Sequence, residues 1–163
     1  MWTDRFFERP LNTVARKGIA EVVQQAGASP GSKLLYFEQT QASTRVAKLL
    51  KIQVGDALLA IRRLRTVDQK PFCIETSYIP AARVPELVAG ELIEGGSWYA
   101  LLLARYQIEI ESDEGTLSIV TMNDQEARLL EVEPGTAALV YRGVIFDTQG
   151  QPVEYLVSIN HPQ

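Results

Sequence analysis

AIRRLRTVDQKPFCIETSYIP, residues 60–80, reads as two strands joined by a turn. The first strand, ALLAIRRLRTV from Ala57, is rich in aliphatic and β-branched residues; DQKP supplies turn residues; FCIETSYI returns antiparallel. The hairpin carries an unusual load of charge. Side chains alternate across a strand, so Arg63 and Arg65 share one face while Arg62 takes the other. A three-residue loop over 68–70 pairs Val67 with Pro71 and sets Arg63 opposite Glu75, whereas a two-residue loop sets Glu75 opposite Arg62. Either register gives an arginine–glutamate cross-strand pair. Two readings follow. The charges form a solvent-facing surface laced with ion pairs worth ~0.2–1 kcal/mol each, or they point inward. Two forked guanidiniums on one face suit bidentate capture of phosphate or carboxylate, and a buried Glu75 needs them to stay ionised. Apolar neighbours on both faces leave the buried face open.

Working outward, apolar residues at helical spacing predict an amphipathic helix over 11–26, stopped by Gly27, with GASPGS as a loop. KLLYFEQTQ is a strand, Ser43 an N-cap for TRVAKLLK, and QVGD a turn. RVPELVAGELI is a short helix with loop character, GGS precedes a helix WYALLLARY, and IEIESDEGTLSIVT is a strand or bent strand. Asn123 caps DQEARLLEV, and ALVYRGVIFD with PVEYLVSI forms a second hairpin. The second half echoes the first: Ala47, Leu49, Leu50, Gly55, Ala57, Leu59 and Arg62 match Ala127, Leu129, Leu130, Gly135, Ala137, Leu139 and Arg142, each eighty residues later. A duplicated helix–turn–hairpin unit predicts an α+β domain, an antiparallel sheet with helices packed to one side.

The chain has 163 residues, 46% hydrophobic and 22% charged, which suits one domain with a real core. A net charge of −4 argues against gripping nucleic acid by bulk electrostatics. No apolar run reaches the ~18–20 residues of a membrane span, and MWTDRFFERP lacks the apolar core of a signal peptide. One cysteine, Cys73, allows no internal disulfide and fits a reducing cytoplasm. His161, the only histidine, lies near the end and reads as a tail residue; no metal-ligand spacing and no phosphate-binding glycine loop occurs. In GGSWY, Ser97 can cap the helix that begins near Trp98, and Gly95–Gly96 permit close backbone approach. That is either a plain capped helix or an anion site at a helix start. Asp113–Glu114 before Gly115 reads as a solvated turn.

These motifs together, AIRRLRTVDQKPFCIETSYIP, then GGSWYALLLARYQI, then EARLLEVEPGTAALVYRGVIFDTQGQPVEYLVS, resemble the UTRA effector-binding domain, the C-terminal half of HutC-type GntR transcription regulators. The resemblance covers about residues 34–160. It implies a chorismate-lyase-like α+β fold around an antiparallel sheet, a homodimer, and a pocket whose small-molecule occupancy changes DNA affinity. It implies that residues 1–30 are an interdomain linker and helix, that 31–163 are the ligand-sensing domain, and that DNA is contacted only through a winged helix-turn-helix preceding Met1. The family's effector residues fall on Arg63, Arg65, Glu75, Ser97, Tyr99 and Glu154. In members that bind phosphorylated sugars the arginines, serine and tyrosine hold phosphate and the glutamates hold sugar hydroxyls. Many members carry a tyrosine where this chain has Asn160, so the part of the ligand remote from the anion can differ. The expectation is therefore a cytoplasmic sensor of a small anionic metabolite, not an enzyme, with no cofactor, metal or membrane partner. The alternatives are a chorismate-lyase-like enzyme and a ligand-free dimerisation module.

Overall fold

The eighty-residue echo is a repeat of one unit. In the computed structural model, which describes residues 27–92 and 97–162, the first copy is β1 (Pro30–Gln41), α1 (Thr44–Leu50), β2 (Ala57–Val67) and β3 (Lys70–Pro80). After α2 (Trp98–Tyr106) come β4 (Ile110–Thr121), α3 (Asp124–Leu129), β5 (Ala137–Asp147) and β6 (Pro152–Asn160). The predicted helix over 11–26 and the Gly95–Gly96 pair lie outside the described residues. Both N-caps form as expected. Ser43 Oγ accepts from Val46 N–H, and Asn123 with Glu126 makes a reciprocal capping box. Gly55 and Gly135 occupy the same turn of the two copies with φ of +89° and +81°, a region open to glycine and strained for other residues.

The six strands form one antiparallel sheet in the order β1-β2-β3-β6-β5-β4, so the copies meet where β3 pairs with β6. Neither loop expectation for the charged hairpin is complete. The loop has two residues, Asp68 and Gln69, at φ 49° and 69°, and pairs Val67 with Lys70. A bulge between Arg65 and Thr66 then shifts the register by one residue, and Arg63 stands opposite Glu75 after all.

Helices cover both faces of the sheet, not one. On one face α1 and α3 pack Ala47, Leu50, Ala127 and Leu130 against Leu58, Ile74, Val140 and Ile159. On the other, α2 packs Trp98 and Leu102 against Leu59, Ile61, Ile79 and Ile145. Arg62 belongs to the first face and lies 3.8 Å from Glu126 of α3. The stretch RVPELVAGELI begins at the last residue of one short 3₁₀ turn, Ala81–Arg83, and holds a second, Ala89–Leu92, instead of a helix; Pro85 and a positive φ at Glu86 separate them. Asp113 and Glu114 sit within edge strand β4, not in a turn. Asp113 accepts from the Tyr141 hydroxyl, and the Tyr141 ring lies over Gly115 and Gly143, which face each other across β4 and β5. Pro30–Ser32, read as loop, begins β1. Among the described residues no helix is long and apolar enough to cross a membrane.

Candidate functional site

A diagonal of polar side chains crosses the α2-covered face of the sheet, within an otherwise apolar layer. It starts at Ser32 on β1, which stands opposite Arg65, passes through Arg63 and Arg65 on β2 and Glu75 and Ser77 on β3, and ends at Glu154 on β6. Arg63, Arg65 and Glu75 are each no more than 5% exposed, and Glu154 is 0% exposed. Both arginines therefore point inward, which decides the question the hairpin raised.

Glu75 Oε2 lies 3.7 Å from Arg63 Nη2 and 3.8 Å from Arg65 Nη1, close enough for attraction and longer than a hydrogen bond. Among the described residues, the buried side-chain polar atoms without a hydrogen-bond partner are Ser32 Oγ and the Nε of Arg62, Arg63 and Arg65. Three of those four sit on this one face. Burial, and then the charge of Arg65, pulls Arg63 below the ordinary guanidinium value, with Glu75 and Glu154 opposing. A guanidinium does not give up its proton in a protein. The lowering therefore reflects chiefly the cost of burying this charge beside a second one.

Glu154 is held from three sides. Trp98 Nε1–H donates to Oε2 at 3.1 Å, the Tyr99 hydroxyl donates to Oε1 at 3.1 Å, and Ser77 hydrogen-bonds it as well. Burial pushes its carboxyl up, reinforced by Glu75, while Ser77, Arg63 and Tyr99 oppose.

Ser97 caps α2: its Oγ accepts from Ala100 N–H at 3.2 Å. A cavity of about 630 Å³ lies beside this helix start, and its lining includes Arg63, Ser97, Trp98, Leu92, Leu101 and Arg105. The structure thus brings Arg63 and Ser97 to one cavity, with Arg65, Glu75 and Glu154 arrayed behind Arg63. Tyr99 is not in that lining. It borders a second hollow of about 460 Å³ with Glu109 and Thr148, and its hydroxyl reaches back to Glu154. Asn160 stands opposite Cys73, its amide tied to the carbonyls of Leu139 and Ser158. Cys73 is buried, as expected, with its sulfur 3.1 Å from Ser158 Oγ.

Three contributors escaped the sequence reading. Trp98 was passed over between Ser97 and Tyr99; its position one residue after the cap was the available signal. Arg105 and Glu91 pair at the cavity wall across fourteen residues, which no local pattern reveals.

The model of the UTRA domain family matches residues 25–162. The chain belongs to the UTRA domain family. Among curated relatives, this UTRA domain is 28% identical over 147 residues to a probable fructoselysine utilization operon transcriptional repressor of Shigella flexneri, covering 90% of the chain and 58% of the relative. It is 24% identical over 160 residues to the transcriptional repressor NagR of Bacillus subtilis, covering 94% and 64%. The chain thus spans about three-fifths of the length of these relatives. The effector domain of PhnF from Mycobacterium smegmatis superposes with a TM-score of 0.79 at 24% identity, covering 88% of this chain and 87% of that one. At that identity the likeness speaks for the fold, an antiparallel α+β sheet domain.

Proposed function

We propose that this UTRA domain binds a small anionic metabolite between the Arg63–Arg65 pair and the start of α2, and that occupancy changes DNA binding by the full-length transcription regulator. The observation that carries the reading is the buried pair of guanidiniums with unpartnered Nε–H groups, one of them opening onto a cavity of about 630 Å³. A phosphorylated sugar is the leading ligand class, because buried guanidiniums call for an anion and the relatives include a probable fructoselysine utilization operon repressor. In this reading Arg63 and Arg65 hold the anion, Ser97 adds its hydroxyl, and Glu75 receives ligand hydroxyls or an amine. Tyr99 joins by exchanging its bond to Glu154 for one to ligand. That exchange loosens the clamp which holds the first turn of α2 on β6, and the turn moves towards the arginines.

The regulator acts in the cytoplasm, without enzymatic activity, as a homodimer whose DNA contacts come from a winged helix-turn-helix before this domain. The relatives' names as repressors support regulation over catalysis. The long edge strand β4, with Leu117 and Ile119 exposed, supports pairing with a second copy. Coupling between ligand and DNA is reciprocal and typically ~1–3 kcal/mol.

Thermal melting in the presence of a panel of phosphorylated sugars tests the site. At least one sugar is expected to raise Tm, and Arg65→Ala to remove most of that rise. A ligand response unchanged in Arg65→Ala overturns the assignment.

A further inference from the structure

β1 opens with Pro30, Gly31 and Ser32, and Ser32 stands directly opposite Arg65. Directly opposed residues keep their Cβ atoms about 4.5–5.5 Å apart, so the Ser32 hydroxyl shares the buried face with the arginine pair. Gly31 permits the approach, since a Cβ there would run into Thr66 Oγ1. Ser32 Oγ is buried without a partner, as are Arg63 Nε and Arg65 Nε. Guanidinium groups only donate, while a serine hydroxyl donates or accepts. An oxygen acceptor with several lone pairs is the kind of group that each of these three atoms can bond.

We infer that Ser32 is a ligand-binding residue, its hydroxyl joining Arg63 and Arg65 on an oxyanion of the effector. This rests on the anion-binding reading above. It enlists the outer strand in the site. β1 is also the strand through which residues 1–29 join the sheet, and Ser29 and Asp68 lock that junction to the hairpin tip by paired bonds, Ser29 N–H to Asp68 Oδ1 and Asp68 N–H to the Ser29 carbonyl. An anion drawn between Ser32 and Arg65 tightens β1 on β2 three residues from that lock.

The test titrates the chain with inorganic phosphate and, separately, with acetate at constant ionic strength, reading affinity by calorimetry and ligand-free Tm by melting. Ser32→Ala is expected to weaken phosphate binding about tenfold, the scale of one hydrogen bond to a charged group. Ser32→Thr, which keeps the hydroxyl, stays within about twofold of wild type. Ligand-free Tm of Ser32→Ala equals or exceeds wild type, because an unpartnered buried hydroxyl has been removed. Equal weakening for phosphate and acetate assigns Ser32 to any oxyanion; weakening for phosphate alone assigns it to a third oxygen. Both support the inference. Wild-type affinity in Ser32→Ala overturns it, as does a lower ligand-free Tm with affinity unchanged. Arg65→Ala, or Arg65→Lys if the first does not fold, separates the two readings. If binding is lost there and kept in Ser32→Ala, the anion site stands and Ser32 is excluded. If both variants bind like wild type, or wild type binds neither probe, the anion-binding reading falls with it.

Discussion

Replacing Glu75 by Gln removes one negative charge from between two buried positive ones and leaves the shape almost unchanged. Its Oε2 lies 3.7 and 3.8 Å from the two guanidiniums. At an effective dielectric of about 20 each contact is worth about 4 kcal/mol in gross Coulomb attraction. Against this stands the cost of burying the carboxylate, several kcal/mol. The expected net loss on Glu75→Gln is about 3–5 kcal/mol, the range for breaking a buried ion pair from one side. That is a large part of a typical stability of ~5–15 kcal/mol. With a urea m-value of about 2 kcal/mol/M, the unfolding midpoint falls by about 2 M. The second half of the prediction is more diagnostic. The uncompensated guanidiniums should take up inorganic phosphate more tightly than wild type, so phosphate should restore more stability to the variant than to the parent. Urea unfolding at several phosphate concentrations and fixed ionic strength reads both effects. A midpoint within about 0.3 M of wild type, with no added phosphate response, would refute the reasoning, because it would mean that solvent already screens the arginines.

Glu154→Gln addresses the raised carboxyl. A group whose folded pKa lies above its unfolded value contributes stability that is full below the ordinary glutamate range and lost as pH rises through the folded pKa. Glutamine cannot ionise, so the variant's stability relative to wild type should climb from about pH 4 upwards; unfolding curves that stay parallel across pH would count against a raised pKa. Gly143→Ala places a Cβ against the Tyr141 hydroxyl and 2.9 Å from the Glu114 carbonyl, and should cost about 1–3 kcal/mol by overpacking. A melting temperature equal to wild type would show that the ring yields freely. Ile119→Lys, at a position 77% exposed on β4, should leave monomer stability within about 0.5 kcal/mol while shifting the proposed homodimer towards monomer in sedimentation; an unchanged assembly state would remove β4 from the proposed interface.

The strands, both N-caps and the duplication were legible because each rests on local chemistry: alternation, a capping side chain, a repeated glycine turn. The inward direction of Arg63 and Arg65 was not. Apolar residues flank them on both sides, and helices on both faces of the sheet make both sides interior. The bulge at Arg65–Thr66 was equally hidden, since it follows from the joint demands of a two-residue turn and the pairing beyond it. Pro30–Gly31–Ser32 looked like loop because proline and glycine punctuate loops. Proline is nonetheless accepted at the first residue of an edge strand, which is where Pro30 stands. Asp113–Glu114 looked like a turn for want of any sign that Tyr141 would reach across to Asp113. Of the six candidate site residues, Tyr99 and Glu154 came from resemblance alone, while alternation and the helix cap had already singled out Arg63, Arg65, Glu75 and Ser97 without deciding their role. Of the six the structure gathers Arg63, Arg65, Glu75 and Glu154 into one buried diagonal, sets Ser97 at the cavity, and turns Tyr99 towards Glu154.

The two copies have diverged where it matters. The positions eighty residues beyond Arg63 and Arg65 are Gly143 and Ile145, and the Tyr141 ring fills the room that side chains at the former would claim. In the proposed site the first repeat supplies Arg63, Arg65 and Glu75, while the second supplies Glu154 and fills the matching room with Tyr141. Occupancy should therefore saturate at a single molecule per polypeptide, and any sigmoidal dose response must arise between polypeptides, never within one.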